Sequence, residues 1–331
     1  MNMLEGNRDS KKIIILMATY NGENHLAEQL DSIINQSYTN WHMIIRDDES
    51  TDSTPKIIKD YAERESRISV FEDDNGNGGQ CKNFDSLMKF SLAQYVETNN
   101  TYFMFADQDD FWYDKKIQAS LEEIVDIEKE VGRSLPILVY TNYMQSDTNL
   151  QNLKKVYTSD MNFRPRELAS RLLIQNWVMG CTTIINLSLL KVSIEIPKEA
   201  ENHDNWMAKL CSLVGHIGYI HEPTMIHRIH SSNVTTSTNT TNYTNRIKRV
   251  LRRIKNNKEL FRIRHQLMKA IEIRTKGIIN EEMTQLLLEY NKMLGSGKMT
   301  SLKIAYKNNF FAVNRLQTFL FYTQLLLSKL Q

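Results

Sequence analysis

Three acids in four positions, Asp107, Asp109 and Asp110 in the string FMFADQDDFW, form the strongest chemical signal in this chain, and Asp114 follows shortly after. The apolar and aromatic run 102–106 just before them reads as a buried strand. The acids then stand at a strand's C-terminal end, where ligands bind in open α/β sheets. Crowded carboxylates repel one another unless a cation or hydrogen-bond donors neutralise them. Hard oxygen ligands one residue apart suit Mg2+ or Mn2+ carrying a substrate diphosphate. An isolated D-x-D is more often a solvated acidic turn. Two further clusters change that balance. A first apolar run ends in Ala18-Thr19-Tyr20-Asn21-Gly22-Glu23, and a second in Arg46-Asp47-Asp48-Glu49-Ser50-Thr51-Asp52. Three strands bringing polar or acidic clusters to one rim are hard to explain by solvation alone.

The elements that must position these groups are legible up to about residue 141. Strands are expected at 13–17, 41–45, 68–71, 102–106 and 137–140. Helices are expected at 24–35, 53–64, 82–92 and 115–129, the first with Leu26, Leu30, Ile33 and Ile34 on one face. Pro55 falls in a first helical turn, where proline is tolerated. Asn75-Gly76-Asn77-Gly78-Gly79 reads as a loop. Repeated β-α-β units imply an α/β fold with a largely parallel sheet and helices on both faces. Beyond residue 142 the pattern loosens. A strand is expected at 180–185, a helix at 205–214, and two short strands at 217–220 and 224–229. A Ser/Thr/Asn tract at 231–244 reads as a loop or linker. Helices are expected at 247–273, 281–293, 302–308 and 312–330.

Composition sets the frame. The chain has 331 residues, of which 41% are hydrophobic and 24% charged, with a formal net charge of +2. Such a balance argues against disorder and fits one large domain, or a domain with an appendage. Cys81, Cys181 and Cys211 are far apart and form no C-x-x-C pair, so neither zinc nor a disulfide framework is indicated. Reduced thiols in a reducing compartment are expected. The start, MNMLEGNRDSKK, carries no signal-peptide pattern, and no run approaches the roughly 20 apolar residues of a membrane span. The N-x-T patterns at Asn233, Asn239 and Asn242 are read as polar loop residues.

The strings ILMATYNGENHLAEQLDSIINQSYTNWHMIIRDDESTDST, FADQDDFW and NHDNWMAKL together resemble the inverting family 2 glycosyltransferases of the GT-A fold. FADQDDFW, the pair His203-Asp204 and the string IHRIHSSNV look most like the bacterial rhamnosyltransferases that build cell-wall or capsular polysaccharides. The resemblance covers roughly residues 12–235 well and the tail more loosely. It implies a GT-A catalytic domain over 1–235, with a Rossmann-like nucleotide-sugar site, and a basic helical C-terminal region over 236–331. The donor would be dTDP-rhamnose or a UDP-sugar, and the acceptor a lipid-linked glycan.

The resemblance also implies roles. Asp48 matches the acid that accepts a hydrogen bond from the pyrimidine imide, which suits an acceptor-only carboxylate. Thr19, Tyr20 and Glu23 lie in the nucleotide-contacting stretch, with Tyr20 a candidate for stacking. Asp107 and Asp109 would flank the diphosphate through Mn2+ or Mg2+, which acts as a Lewis acid. Gln108, between them, is a substrate-binding candidate. His230 is a third metal ligand or a structural hydrogen-bonder. Lys82 either adds positive charge beside the diphosphate or is a solvated lysine at a helix start. Trp112 either walls the sugar or belongs to the core. Asp204 matches the general base that takes the acceptor hydroxyl's proton, and it also suits a helix cap; the two roles are compatible. His203 matches the residue preceding that base, and Trp177 and Gly180 fall where acceptor loops lie.

From residue 246 to 264 nine basic residues accompany a single acid, Glu259, with apolar residues between them. That pattern suits an anionic membrane surface, or a solvated helix face packed on the catalytic domain. Without any nucleic-acid module, no nucleic-acid partner is expected. The implied location is cytoplasmic, peripheral to the inner face of the cell membrane. A homodimer is left open.

Overall fold

The computed structural model describes residues 11–73, 76–95, 100–156, 163–230 and 257–327. The tract 231–244 and most of the basic stretch, 246–256, lie outside the described residues.

Strand β1 (Lys12–Thr19) is apolar on both faces, and Ile13 through Met17 are fully buried. Alternate side chains feed different cores. Ile13, Ile15 and Met17 join one cluster, and Ile14 and Leu16 the other. This is the signature of a strand covered on both sides. β2 (Trp41–Asp47), β3 (Ile68–Val70) and β4 (Thr101–Ala106) pair in parallel around it. The sheet runs β3, β2, β1, β4, β8 (Thr183–Asn186), β6 (Ile137–Ser146), β9 (His216–Arg228) and β5 (Phe111–Trp112), with short β7 (Lys154–Lys155) on β6. β8 is antiparallel to both β4 and β6. β9 is parallel to β6, and β5 is antiparallel to β9. The sheet is therefore mixed, and mostly parallel in strand direction.

Helices α1 (Leu26–Ile34) and α4 (Lys116–Val131) cover one face with Leu26, Leu30, Ile117, Leu121 and Ile124. α2 (Thr54–Arg64) adds Ile58 and Tyr61. On the other face lie α3 (Gly79–Tyr95), α6 (Leu187–Ser193) and α7 (His203–Val214). α7 is buried on two sides. Met207, Ala208 and Cys211 meet the sheet, while Trp206, Leu210 and Leu213 meet a third cluster. That cluster also holds α5 (Pro165–Ile174), α8 (Asn257–Thr275), α9 (Glu281–Gly295), α10 (Lys298–Lys307) and α11 (Arg315–Leu327). The C-terminal helices thus share a core with α5 and α7. Among the described residues, no helix is long and apolar enough to cross a membrane.

Three expectations need correction. The two short strands at 217–220 and 224–229 are one strand, β9. The ladder to β6 skips from Thr141↔Ile220 to Asn142↔Pro223, so a bulge carries the proline through. The strand expected at 180–185 begins as a 3-10 turn, Gly180–Thr182, before β8. The region after 142 also holds α5, opened by Pro165, and α6, capped by the Asn186 side chain accepting from Leu189 N. Sequence periodicity alone had not indicated either helix.

Candidate active site

Parallel β1, β2 and β4 end at one rim, so the three polar clusters meet there. The loops are locked by side chain to backbone bonds. Gln108 Oε1 accepts from Tyr20 N at 2.8 Å and Gln108 Nε2 donates to Tyr20 O at 2.9 Å. A Cβ on Gly22 would lie 2.3 Å from Gln108 Oε1, which explains a glycine there. Thr19 is buried and donates through Oγ1 to Asp47 Oδ1 at 2.7 Å. Glu23 Oε2 accepts from Ser53 N at 3.0 Å, at the start of α2. Thr19 Oγ1, Glu23 Oε2 and both polar atoms of Gln108 thus bond to neighbouring loops. The Tyr20 ring is left 48% exposed, available for a flat ligand.

Asp48 is nearly sealed. Its Oδ1 accepts from Arg46 Nη1 at 3.0 Å and Gly78 N at 3.2 Å, and Oδ2 accepts from Gly79 N at 2.8 Å. A carboxylate offers about four acceptor sites, so Oδ2 has room for one more donor. Arg46, itself buried, also binds Asp73 Oδ1 at 2.7 Å, and its guanidinium is held further into the charged form despite burial. Asn83 Nδ2 donates to Arg46 O at 3.1 Å, tying α3 to the end of β2. A cleft beside this cluster is lined by Arg46, Asp47, Glu49, Phe71, Asp73 and Gly76. Lys82 is exposed and packs its stem close against Gly78.

The acids after β4 each have a different partner. Asp107 accepts from Gln80 Nε2 at 3.3 Å. Burial, then the charges of Asp110 and Asp109, push its carboxyl up to about 8, and Asp204 contributes in the same direction. Asp109 Oδ2 lies 2.7 Å from His230 Nε2, which itself sits 5.2 Å from the His25 ring. Arg228 Nε donates to Asp109 O at 2.9 Å and Arg228 Nη2 pairs with Glu28 at 2.5 Å, bracing the end of β9 against the acidic turn. Asp110 is fully buried and binds His227 Nδ1 at 2.8 Å. Burial alone would lower the His227 pKa; Asp110 instead raises it to about 9. Asp110, His227 and Cys181 bring ligand-type atoms within 4.8 Å of one another. The buried Lys116 ammonium beside them, lowered to about 8 by burial, already adds positive charge to that interior. We therefore read this group as a buried ion cluster joining the acidic turn to β9. Trp112 is 1% exposed and carries Lys116 over its ring at 4.9 Å, so it belongs to the core.

Asp204 stands in the first turn of α7, after the N-cap Asn202. Its Oδ2 accepts from Gly180 N at 3.1 Å, and its Oδ1 from Asn176 Nδ2 at 3.3 Å and Asn205 N at 2.5 Å. Burial outweighs these donors and raises its carboxyl to about 6. His203 is buried against the rings of Phe84 and Phe105, at 4.0 and 5.4 Å. Burial lowers it to about 3, so it is neutral. A Cβ on Gly180 would lie 2.3 Å from His203 Nε2. His203 therefore sets Gly180, whose N–H sets Asp204. Trp177 Nε1 donates to Tyr140 Oη at 3.2 Å on the same loop.

The structure thus brings Asp107, Asp109, His230, Asp204 and the exposed Tyr20 ring to one rim. Arg46, Asn83, Asn176, His227 and Arg228 were missed as positioning residues. Arg46 and Arg228 carried a signal, since each is a cation beside an acidic or histidine string. Asn83 and Asn176 carried none.

Comparison with known proteins follows the same line. The family model described as "Glycosyl transferase family 2" matches residues 14–184. A curated relative, the dTDP-rhamnosyl transferase RfbG of Shigella flexneri, is 32% identical over 227 residues, covering 66% of this chain and 72% of that protein. The Escherichia coli protein WfgD, a UDP-Glc:alpha-D-GlcNAc-diphosphoundecaprenol beta-1,3-glucosyltransferase, is 22% identical over 177 residues, covering 54% and 60%. Among solved structures, S. aureus TarS 1-349 with UDP-GlcNAc aligns at a TM-score of 0.58 and 17% identity, over 86% of this chain and 72% of that one.

Proposed function

The chain belongs to glycosyl transferase family 2, and we propose that it moves L-rhamnose from dTDP-β-L-rhamnose to a growing lipid-linked polysaccharide of the cell wall or capsule, with inversion. The observation that carries this reading is the convergence of Asp107, Asp109 and His230 with Asp204 at one strand rim. The relative's rhamnosyl donor supports the choice of sugar. The alternative is the same chemistry with a UDP-hexose, supported by the glucosyltransferase relative. A non-catalytic nucleotide-sugar binder or a membrane scaffold would not need a carboxylate held like Asp204.

In this reading the remaining acceptor site on Asp48 Oδ2 takes the pyrimidine imide, and Tyr20 packs on the ring. Two carboxylates and an imidazole form a donor set that suits Mn2+ or Mg2+. The cation would supply a Lewis acid that offsets charge on the departing nucleoside diphosphate. Asp107, its carboxyl pushed upward by burial and then by the charges of Asp110 and Asp109, fits such a role. Asp204 takes the proton from the acceptor hydroxyl as that oxygen attacks the anomeric carbon. Its raised basicity suits general-base work near neutral pH. A chain acting on a lipid-linked acceptor would work at the inner face of the cell membrane.

The donor is tested by thermal shift against a panel of nucleotide sugars with Mn2+. Ligands binding only the native state stabilise it by about 2.7 kcal/mol at a hundredfold excess over Kd. We expect dTDP-rhamnose to raise Tm most. A larger rise with UDP-glucose or UDP-galactose would transfer the assignment to the alternative donor.

A further inference from the structure

We propose that the outer face of α10 and α11 is a docking surface for an anionic lipid bilayer. α11 has two apolar faces. Phe321 and Leu325 are buried in the helical core, at 4% and 0% exposure. Leu316, Phe319, Leu326 and Leu327 lie on another face at 58%, 66%, 41% and 49% exposure. Their spacing places them on one stripe of a 3.6-residue helix. α10 adds Met299 and Tyr306, 65% and 72% exposed. Tyr306 is continuous with α11: its ring lies 6.2 Å from Phe311, which lies 6.2 Å from Tyr322. An outward helix face is ordinarily polar; contiguous exposed apolar surface marks an interaction site.

Charge selects the occupant. No Asp or Glu follows Glu289, whereas Lys292, Lys298, Lys303, Lys307, Arg315 and Lys329 do. Lys298, Lys303, Lys307 and Arg315 are exposed on the same two helices. Two copies of these acid-free cationic helices repel each other, which disfavours a second copy of this chain as the partner. An anionic headgroup layer attracts the cations, and its acyl boundary takes the apolar stripe. Since neither helix is long and apolar enough to cross, they would lie in the interface. None of these residues belongs to the basic stretch 246–256, which lies outside the described residues. The proposal rests on the reading of a lipid-borne acceptor. Vesicle binding uses neither donor nor acceptor, so its failure and that of the donor assignment are separate outcomes.

The test is co-sedimentation of the full chain with phosphatidylglycerol-containing vesicles and with neutral phosphatidylcholine vesicles. Wild type is expected to bind the anionic vesicles, more weakly as salt rises, because screening acts over about 8 Å at physiological ionic strength. The pair Leu316→Ser and Phe319→Ser should weaken binding about tenfold or more. Both positions are exposed, so the fold should survive, and donor-induced thermal shift should stay unchanged. Lys303→Glu with Lys307→Glu should weaken binding comparably without touching the apolar stripe. Equal binding by wild type and both variants would overturn the proposal, as would equal binding to neutral and anionic vesicles. A dimer in sedimentation equilibrium that Leu316→Ser and Phe319→Ser dissociate, without vesicle binding, would overturn it in favour of self-association.

Discussion

Asp204→Asn is expected to cut turnover by about 10²–10⁴-fold while leaving donor binding near normal. The substitution keeps one oxygen, which can still accept from Asn205 N. It removes the acceptor for Gly180 N, now bonded at 3.1 Å. Leaving that donor unsatisfied costs about 1–3 kcal/mol, so the variant should fold at reduced stability. What it loses outright is the carboxylate proposed to take the acceptor's proton. Stopped assays at saturating donor measure the turnover, and thermal shift with dTDP measures the binding. The pH profile separates chemistry from stability. With the carboxyl raised to about 6 by burial, the wild-type rate should rise with pH through about 6 and then level off. The variant should lack that rise. Wild-type turnover in the variant at saturating acceptor would show that the base is elsewhere.

Asp109→Ala is expected to leave no detectable transfer, and excess EDTA should reproduce the loss in wild type. The side chain is the partner of His230 at 2.7 Å, so its removal takes away one proposed metal ligand and a bond that holds the second. The turn itself should persist, because Arg228 Nε holds the Asp109 carbonyl. The readout besides activity is Mn2+ affinity, measured by electron paramagnetic resonance on the unreacted protein; it should fall at least about tenfold. Full wild-type activity in excess EDTA would contradict the metal role.

How much of this was legible in the chain depends on which forces set each part. The β-α series to residue 141 was readable because each element carries its own period, as in the alternating burial of β1. Later elements obey tertiary demands. β9 looks broken at Pro223, but the bulge opposite Asn142 lets the strand continue. The acidic rim was readable from strand ends, since parallel strands bring those ends together. The finer assignments were not. Thr19 and Glu23, in the stretch after β1, and Gln108, between the acids after β4, were candidates for substrate contact, and here they bond to neighbouring loops. Their direct role toward substrate therefore remains a proposal, and their loop-locking role is an observation. His203 is sealed between two phenyl rings and reaches the site only through Gly180. No spacing rule reveals such a contact, because it is made by a tertiary packing of α7 on α3.

The most direct test of the whole account is the configuration of the product. Wild type with Mn2+, dTDP-β-L-rhamnose and a synthetic lipid-linked glycan acceptor should give a new α-linked rhamnose, read by one-bond carbon–proton coupling at the anomeric carbon. That outcome follows from direct attack assisted by Asp204. A β-linked product would mean retention, and no single base at Asp204 could account for it.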